Sequence, residues 1–277
     1  MSNLNKETIR TLADTFTAES EYNRVAAEVA LAPELAGEVI YSSPLIGYSA
    51  ADDPLYSGLK EPKAVGELFR LPGEWLDGAR SVISFFFPFT EAVRSSNRAG
   101  GSPSALWMHG RIEGQQFLAR FGAYMADALT GAGYGAMVPV LSPDFRIATT
   151  KDGKQYTSSW SERHAAFVGG LGTFSLSRGL ITERGMAGRL VSVVTTLPLE
   201  ATVRPYTDLY EYCIRCGACV RRCPATAISL ERGKENLPCN AFLNGVRERY
   251  SPYYGCGKCQ TAVPCEFKNP SAIRGKC

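Results

Sequence analysis

Apolar residues fall along this chain with two different periods. Residues 80–89, Arg-Ser-Val-Ile-Ser-Phe-Phe-Phe-Pro-Phe, form a continuous run rich in β-formers and closed by proline, which predicts a buried strand. Residues 113–129 instead bring Phe117, Leu118, Phe121, Met125 and Leu129 onto one face of a helix, and Gly131 and Gly133 end it. A short amphipathic helix is predicted over 8–16, and further strands over 136–141 and 189–196. Ser159 and Glu162 stand at capping-box spacing for a helix through Val168. Residues 50–62 and 94–104 are turn-rich and read as loops. Strands alternating with helices predict an α/β or α+β core.

Gly169-Gly170-Leu171-Gly172 follows the predicted helix rather than joining a strand to a helix, so it fails the context of a dinucleotide fingerprint. Two readings stay open for it: a tight turn with positive φ, or a place where backbone approaches a cofactor.

Cysteine placement changes the picture. All nine cysteines lie from residue 213 onward. Cys213, Cys216, Cys219 and Cys223, followed by Pro224, reproduce the bacterial ferredoxin spacing C-x2-C-x2-C-x3-C-P. Three cysteines two residues apart wrap a tight loop around one face of an iron–sulfur cubane, and the fourth, before the proline, ligates a second cluster in two-cluster ferredoxins. Cys239, Cys256, Cys259 and Cys265 bring the thiolates to eight, the number two [4Fe–4S] clusters require; Cys277 is left over. Structural zinc also uses C-x2-C pairs, but it has no need of the longer run, and two zinc sites would want two clean pairs each. A disulfide framework fits no better, since the cysteine-free part is long enough to bury its own core.

The remaining composition narrows the class. The chain has 277 residues, enough for one large domain over 1–205 and a cluster domain over 206–277. A net charge of +3 is too small to argue for nucleic acid. Arg215, Arg221, Arg222 and Arg232 crowd near the first cysteines, either as a solvated rim offsetting cluster charge or as a docking patch for an acidic electron donor or RNA. No stretch of 18 apolar residues predicts a membrane span, and the first residues lack a secretory h-region. Free thiolates and clusters favour the reducing cytoplasm.

From about residue 80 to 270 the chain resembles the epoxyqueuosine reductase family, which is related to the reductive dehalogenases. Arg80-Ser-Val-Ile-Ser, Gly110-Arg111, the Glu162–Gly172 segment with its Glu162-Arg163 pair and closing Gly-Leu-Gly, and Gly255-Cys256-Gly257-Lys258-Cys259-Gln260 carry the resemblance. It implies a nitroreductase-like core holding cobalamin against a ferredoxin-like domain. It implies one cluster on Cys213, Cys216, Cys219 and Cys265 and another on Cys223, Cys239, Cys256 and Cys259. Arg163, His164, Gly170 and Gly172 become candidate cofactor contacts, and His109 is weighed as an alternative cobalt ligand or proton shuttle. Electrons would pass through the clusters to cobalt while a protein acid supplies the proton.

This sequence departs from that pattern in three ways. Two extra residues separate Cys259 from Cys265, and no proline follows. The resemblance is to a short form, without the C-terminal helical-repeat segment that helps bind tRNA. The family's acidic proton donor falls on Tyr156, a much weaker acid than a carboxyl; reductive dehalogenases use a tyrosine acid, and Asp144 and Asp152 lie nearby. The expectation is an iron–sulfur oxidoreductase that passes single electrons from a ferredoxin- or flavodoxin-type donor to a corrinoid. That corrinoid would reduce a small or nucleoside-like substrate, with tRNA less favoured. The alternatives are a non-enzymatic electron-transfer partner or activator of a separate corrinoid protein, and a flavin in place of cobalamin.

Overall fold

A computed structural model describes residues 4–150 and 155–272. Its helices are α1 (Lys6–Glu19), α2 (Pro54–Gly58), α3 (Pro72–Trp75), α4 (Glu91–Ser96), α5 (Ala105–Gly131), α6 (Glu162–Val168), α7 (Ala218–Arg221) and α8 (Asn236–Tyr250). Its strands are β1 (Leu45–Ala50), β2 (Ser81–Pro88), β3 (Ala136–Met137), β4 (Ile147–Thr149), β5 (Tyr156–Ser158), β6 (Gly172–Phe174), β7 (Leu180–Thr182), β8 (Gly188–Thr195), β9 (Ile228–Ser229) and β10 (Gly233–Lys234).

The core is a four-stranded sheet of order β1-β2-β8-β3, antiparallel at every pairing. Of the two fold classes expected, this is α+β. Every residue of β2 is buried, because helices cover both faces of the sheet. Ile83, Phe85 and Phe87 point to a core shared with Phe117 and Phe121 of α5. Val82 and Phe86 point to a second core with Ala165 and Val168 of α6. That double cover explains why the run shows no polar alternation. Edge-to-face contacts of Phe121 with Phe85 and Phe87, both at 4.8 Å, seat α5 on the sheet.

Several local expectations are corrected. Helix α5 begins at Ala105, ahead of the amphipathic stripe, capped by Ser104, whose Oγ accepts the Trp107 N–H at 3.1 Å. Its first turns bury Leu106, Trp107, Met108 and His109 together, so no single apolar face marks them in sequence. The strand expected over 136–141 pairs only at Ala136 and Met137; Pro139, lacking an N–H, opens a 3-10 turn instead. Ser161, not Ser159, precedes α6. The Ser159 hydroxyl accepts the Arg146 N–H at 2.9 Å and belongs to the β4–β5 hairpin. Helix α2 interrupts the loop expected over 50–62, and α4 runs into that expected over 94–104.

The cysteine-bearing segment is keyed into the sheet domain by buried polar contacts. The ammonium of Lys258, 2% exposed, donates to the carbonyls of Asn97 and Ala99 at 3.2 and 2.8 Å. Asn97 in turn donates to the Cys256 carbonyl at 2.9 Å. Arg222 reaches the carbonyls of Lys258 and Arg98 at 3.0 and 2.9 Å.

Candidate redox site

The eight described cysteines fall into two groups. Cys213, Cys216, Cys219 and Cys265 line a small cavity between β7 and the α7 loop, together with Ile181, Met186 and Val263. Cys223, Cys239, Cys256 and Cys259 line part of a second cavity of about 780 Å³. These are the two sets that the family resemblance implies. The loop geometry follows from local sequence: Gly217, at φ +69, turns the chain left-handed between Cys216 and Cys219. Gly257, at φ +64, does the same between Cys256 and Cys259, where any Cβ would overlap the Trp107 indole.

Burial pushes the Cys219 and Cys256 thiols up to about 11 and Cys265 up to about 12, and neighbouring cysteines of each group add to the rise. Thiols in such surroundings stay protonated at neutral pH unless a cation holds them as thiolates. Cys219 also lies within electrostatic reach of Cys259, so the two groups are neighbours. Cys216 is exposed while the other seven are half-buried. Among the described residues no three His, Cys, Asp or Glu side chains stand close enough together to hold a single metal ion.

The larger cavity lies between the sheet domain and the cysteine segment. Phe86, Leu190 and Val191 of the sheet and the indoles of Trp107 and Trp160 give it apolar walls. Arg111 from α5, Arg163 from α6 and Arg189 from β8 add three guanidinium groups. Arg163 is ringed by protein yet open to the cavity itself.

Glu162, beside Arg163, also borders the cavity, but its carboxyl oxygens are sealed beneath and find no hydrogen-bond partner among the described residues. They sit near Trp160 and Ser192, whose own bond, indole Nε1 to hydroxyl, is 2.9 Å. Burial raises this carboxyl from 4.5 to about 8. The folded state therefore binds a proton that the unfolded chain releases near its ordinary value. This contribution to stability is complete below about pH 4.5, declines as pH rises and is gone above about 8, at up to roughly 1.4 kcal/mol per pH unit. Glu162→Gln should flatten that decline. Urea midpoints at pH 5.5 and 8.5 would test it; the same loss on going to pH 8.5 in both proteins would contradict the assignment.

The structure treats the other candidates unequally. Arg163 lines the cavity; His164, Gly170 and Gly172 do not. His164 bonds Ser161 Oγ through Nδ1 at 2.7 Å and packs on Phe174 at 4.7 Å. Burial, reinforced by Arg163, lowers it to about 4, so it is neutral at pH 7. Gly170 turns left-handed against Thr202, as the turn reading expects, whereas Gly172 lies in β6 and passes so close to the Ile181 carbonyl that no Cβ fits. His109, fully buried, accepts the Leu31 N–H on Nε2 at 3.0 Å and meets Glu113 through Nδ1 at 2.9 Å. With both nitrogens engaged it is a structural histidine. Tyr156 is 46% exposed and does not line the cavity; its hydroxyl contacts the amide of Asn240, the residue after Cys239. Asp144 is exposed and lies 3.9 Å from Arg70. Asp152 and Cys277 lie outside the described residues.

Residues 206–229, with Cys213, Cys216, Cys219 and Cys223, match a 4Fe-4S binding domain family. Among solved structures, a selenomethionine-labelled epoxyqueuosine reductase is 22% identical and aligns over 80% of this chain and 61% of its own, with a TM-score of 0.50. A catabolic reductive dehalogenase is 17% identical over 83% of this chain and 31% of its own, with a TM-score of 0.55. The same dehalogenase in complex with 3-bromo-4-hydroxybenzoic acid gives 17% identity over 83% of this chain and 31% of its own, with a TM-score of 0.54. The chain has the fold of the epoxyqueuosine reductases and reductive dehalogenases. It carries a 4Fe-4S binding motif within that fold and spans less than two thirds of either relative. No curated protein sequence matches it. No described helix is long and apolar enough to cross a membrane.

Three charged residues that line the cavity, Arg111, Arg189 and Glu162, escaped the site candidates read from the sequence. Arg189 begins an otherwise apolar strand, the only signal available, and a charge at a strand end is usually solvated. Glu162 resembled a helix-start residue, which it also is.

Proposed function

We propose that this protein is an iron–sulfur reductase in which two [4Fe–4S] clusters relay single electrons from an external ferredoxin- or flavodoxin-type donor to a corrinoid in the larger cavity, where a small or nucleoside-like molecule is reduced. The observation that carries the reading is the sorting of eight cysteines into two neighbouring groups, one of which opens into that cavity. Cys213, Cys216, Cys219 and Cys265 would hold the first cluster. Cys223, Cys239, Cys256 and Cys259 would hold the second. The exposure of Cys216 suits electron entry at the first, and the proximity of Cys219 to Cys259 suits a short hop to the second.

The cavity fits the corrinoid in kind. Its volume lies in the range of ligand pockets, its walls offer apolar faces, and its guanidinium groups match carboxamide and phosphodiester oxygens. Neither histidine lines it, so neither would touch a corrinoid held there. When bound, a corrinoid would supply a low-potential metal centre able to accept electrons one at a time. The chain's own part is to exclude water, hold the ligand between the sheet and the second cysteine group, and deliver a proton. Tyr156, the proton donor expected from the sequence, stands beside α8 outside the cavity lining, with its hydroxyl on Asn240 next to Cys239.

Anaerobic reconstitution with iron and sulfide, followed by hydroxocobalamin, tests the proposal. The expected outcome is about eight irons and one cobalt per chain. Full iron without cobalamin uptake would move the reading to an electron-transfer partner or a flavin protein.

A further inference from the structure

The geometry points to Arg111, Arg163 and Arg189 as one binding site for an oxyanion, the carboxylate or phosphate of a molecule occupying the larger cavity. This rests on the reading of that cavity as a ligand site, and adds to it the chemical class of the ligand.

Three separate elements bring these guanidinium groups to one cavity. They are close enough for their charges to oppose one another: Arg111 and Arg163 both depress Arg189, and Arg178 and Arg111 depress Arg163. Among the described residues no carboxylate is one of the groups that shift Arg163 or Arg189. Among the described residues, the groups that shift Arg189 are Tyr41, Arg111, Arg163 and Tyr254, and those that shift Arg163 are Cys259, Arg178 and Arg111. The nearest acid in sequence, Glu162, turns its oxygens to the sealed side.

The hydrogen bonds these arginines make are to neutral groups. Arg111 donates to the Tyr254 hydroxyl at 2.7 Å with its guanidinium 4.8 Å from that ring's centre. Arg189 donates to the Gln115 amide oxygen, and its Nε has no partner among the described residues. Arg178, the other cation beside Arg163, is taken up by Gln155.

Charge balance for the second cluster does not account for the set. Cys259 faces Arg163, and it already has Lys234 nearby. No thiolate is among the groups that shift Arg189. Like charges gathered in a poorly solvated cavity are costly, and a bound oxyanion accepting several charged hydrogen bonds reverses that cost.

Titration calorimetry on the cluster-reconstituted full chain, with inorganic phosphate and then benzoate as probes, tests the site. Saturable binding is expected in the wild type. Arg189→Gln and Arg111→Gln should each weaken it about tenfold or more, and Arg189→Lys, which keeps the charge, should lose less. Wild-type protein that binds neither anion, or folded Gln variants that bind as tightly as wild type, would overturn the inference. Adding hydroxocobalamin separates the sources of the oxyanion. Phosphate displaced by cobalamin assigns the site to the cofactor's phosphodiester, and phosphate retained beside it assigns the site to the substrate. Anion binding that persists without any cobalamin uptake would leave this site standing while the corrinoid reading fell.

Discussion

Cys223→Ala is expected to leave roughly half the iron on the chain and to abolish any reduction carried out in the larger cavity. Cys223 belongs to the ferredoxin run in sequence but lines the other cavity from Cys213, Cys216 and Cys219. Its sulfur accepts the Ala227 N–H at 3.3 Å. Without it, Cys239, Cys256 and Cys259 offer three ligands to a cluster that requires four. The first group keeps all four of its cysteines, so a small reductant such as dithionite should still bleach the remaining cluster. Iron and sulfide analysis with electron paramagnetic resonance would read the outcome. Full iron with normal turnover would sink the two-cluster relay.

Glu266→Ala should destabilise the protein by roughly 3 kcal/mol, the low end of the cost of breaking a buried ion pair, and should loosen the first cysteine group. Glu266 is 2% exposed and takes three donors: Arg94 at 3.2 Å, Arg98 at 2.7 Å and the Ala262 N–H at 2.6 Å. The adjacent backbone is bonded as well, since Met186 and Ala187 donate to the carbonyls of Cys265 and Glu266 at 2.9 and 3.0 Å. Glu91 also pairs with both arginines, at 2.6 and 2.8 Å, which keeps the loss from being larger. Glu266→Gln, which can still accept from Ala262, should lose less. Urea denaturation under anaerobic conditions, with iron counted in the same samples, measures both effects. An Ala variant as stable as wild type, with full iron, would show that Cys265 is positioned without this carboxylate.

The resemblance and the fold agree, although the class of sheet was left open between two alternatives by periodicity. Residues 80–89 and 189–196 read as strands because their apolar runs are local, and they pair side by side in the structure. Their antiparallel sense depends on how distant segments return to the sheet, which no local period encodes. The start of α5 was hidden for a related reason. Residues 105–112 meet the sheet on one side and Val246 and Tyr253 of the cysteine segment on another, so burial all round replaced the stripe that marks an amphipathic helix. Ser159 was misread because two hydroxyls stood near the helix start, and only the hairpin decided which of them faced it.

The sequence by itself determined the iron–sulfur motif, because its ligands are spaced within one short loop and their geometry is set by contiguous residues. It also determined the main strands and the body of the long helix, whose burial is written in local periodicity. Tertiary structure decided what depends on chain folding back across long separations: the grouping of Cys265 with Cys213 and of Cys239 with Cys256, the sealing of Glu162 beneath the cavity wall, and the meeting of Arg111, Arg163 and Arg189. Each of those arginines looks solvated in its own sequence neighbourhood. Only the packing of helix, strand and cysteine segment around one cavity removes their counter-charges and turns three ordinary surface residue types into a site.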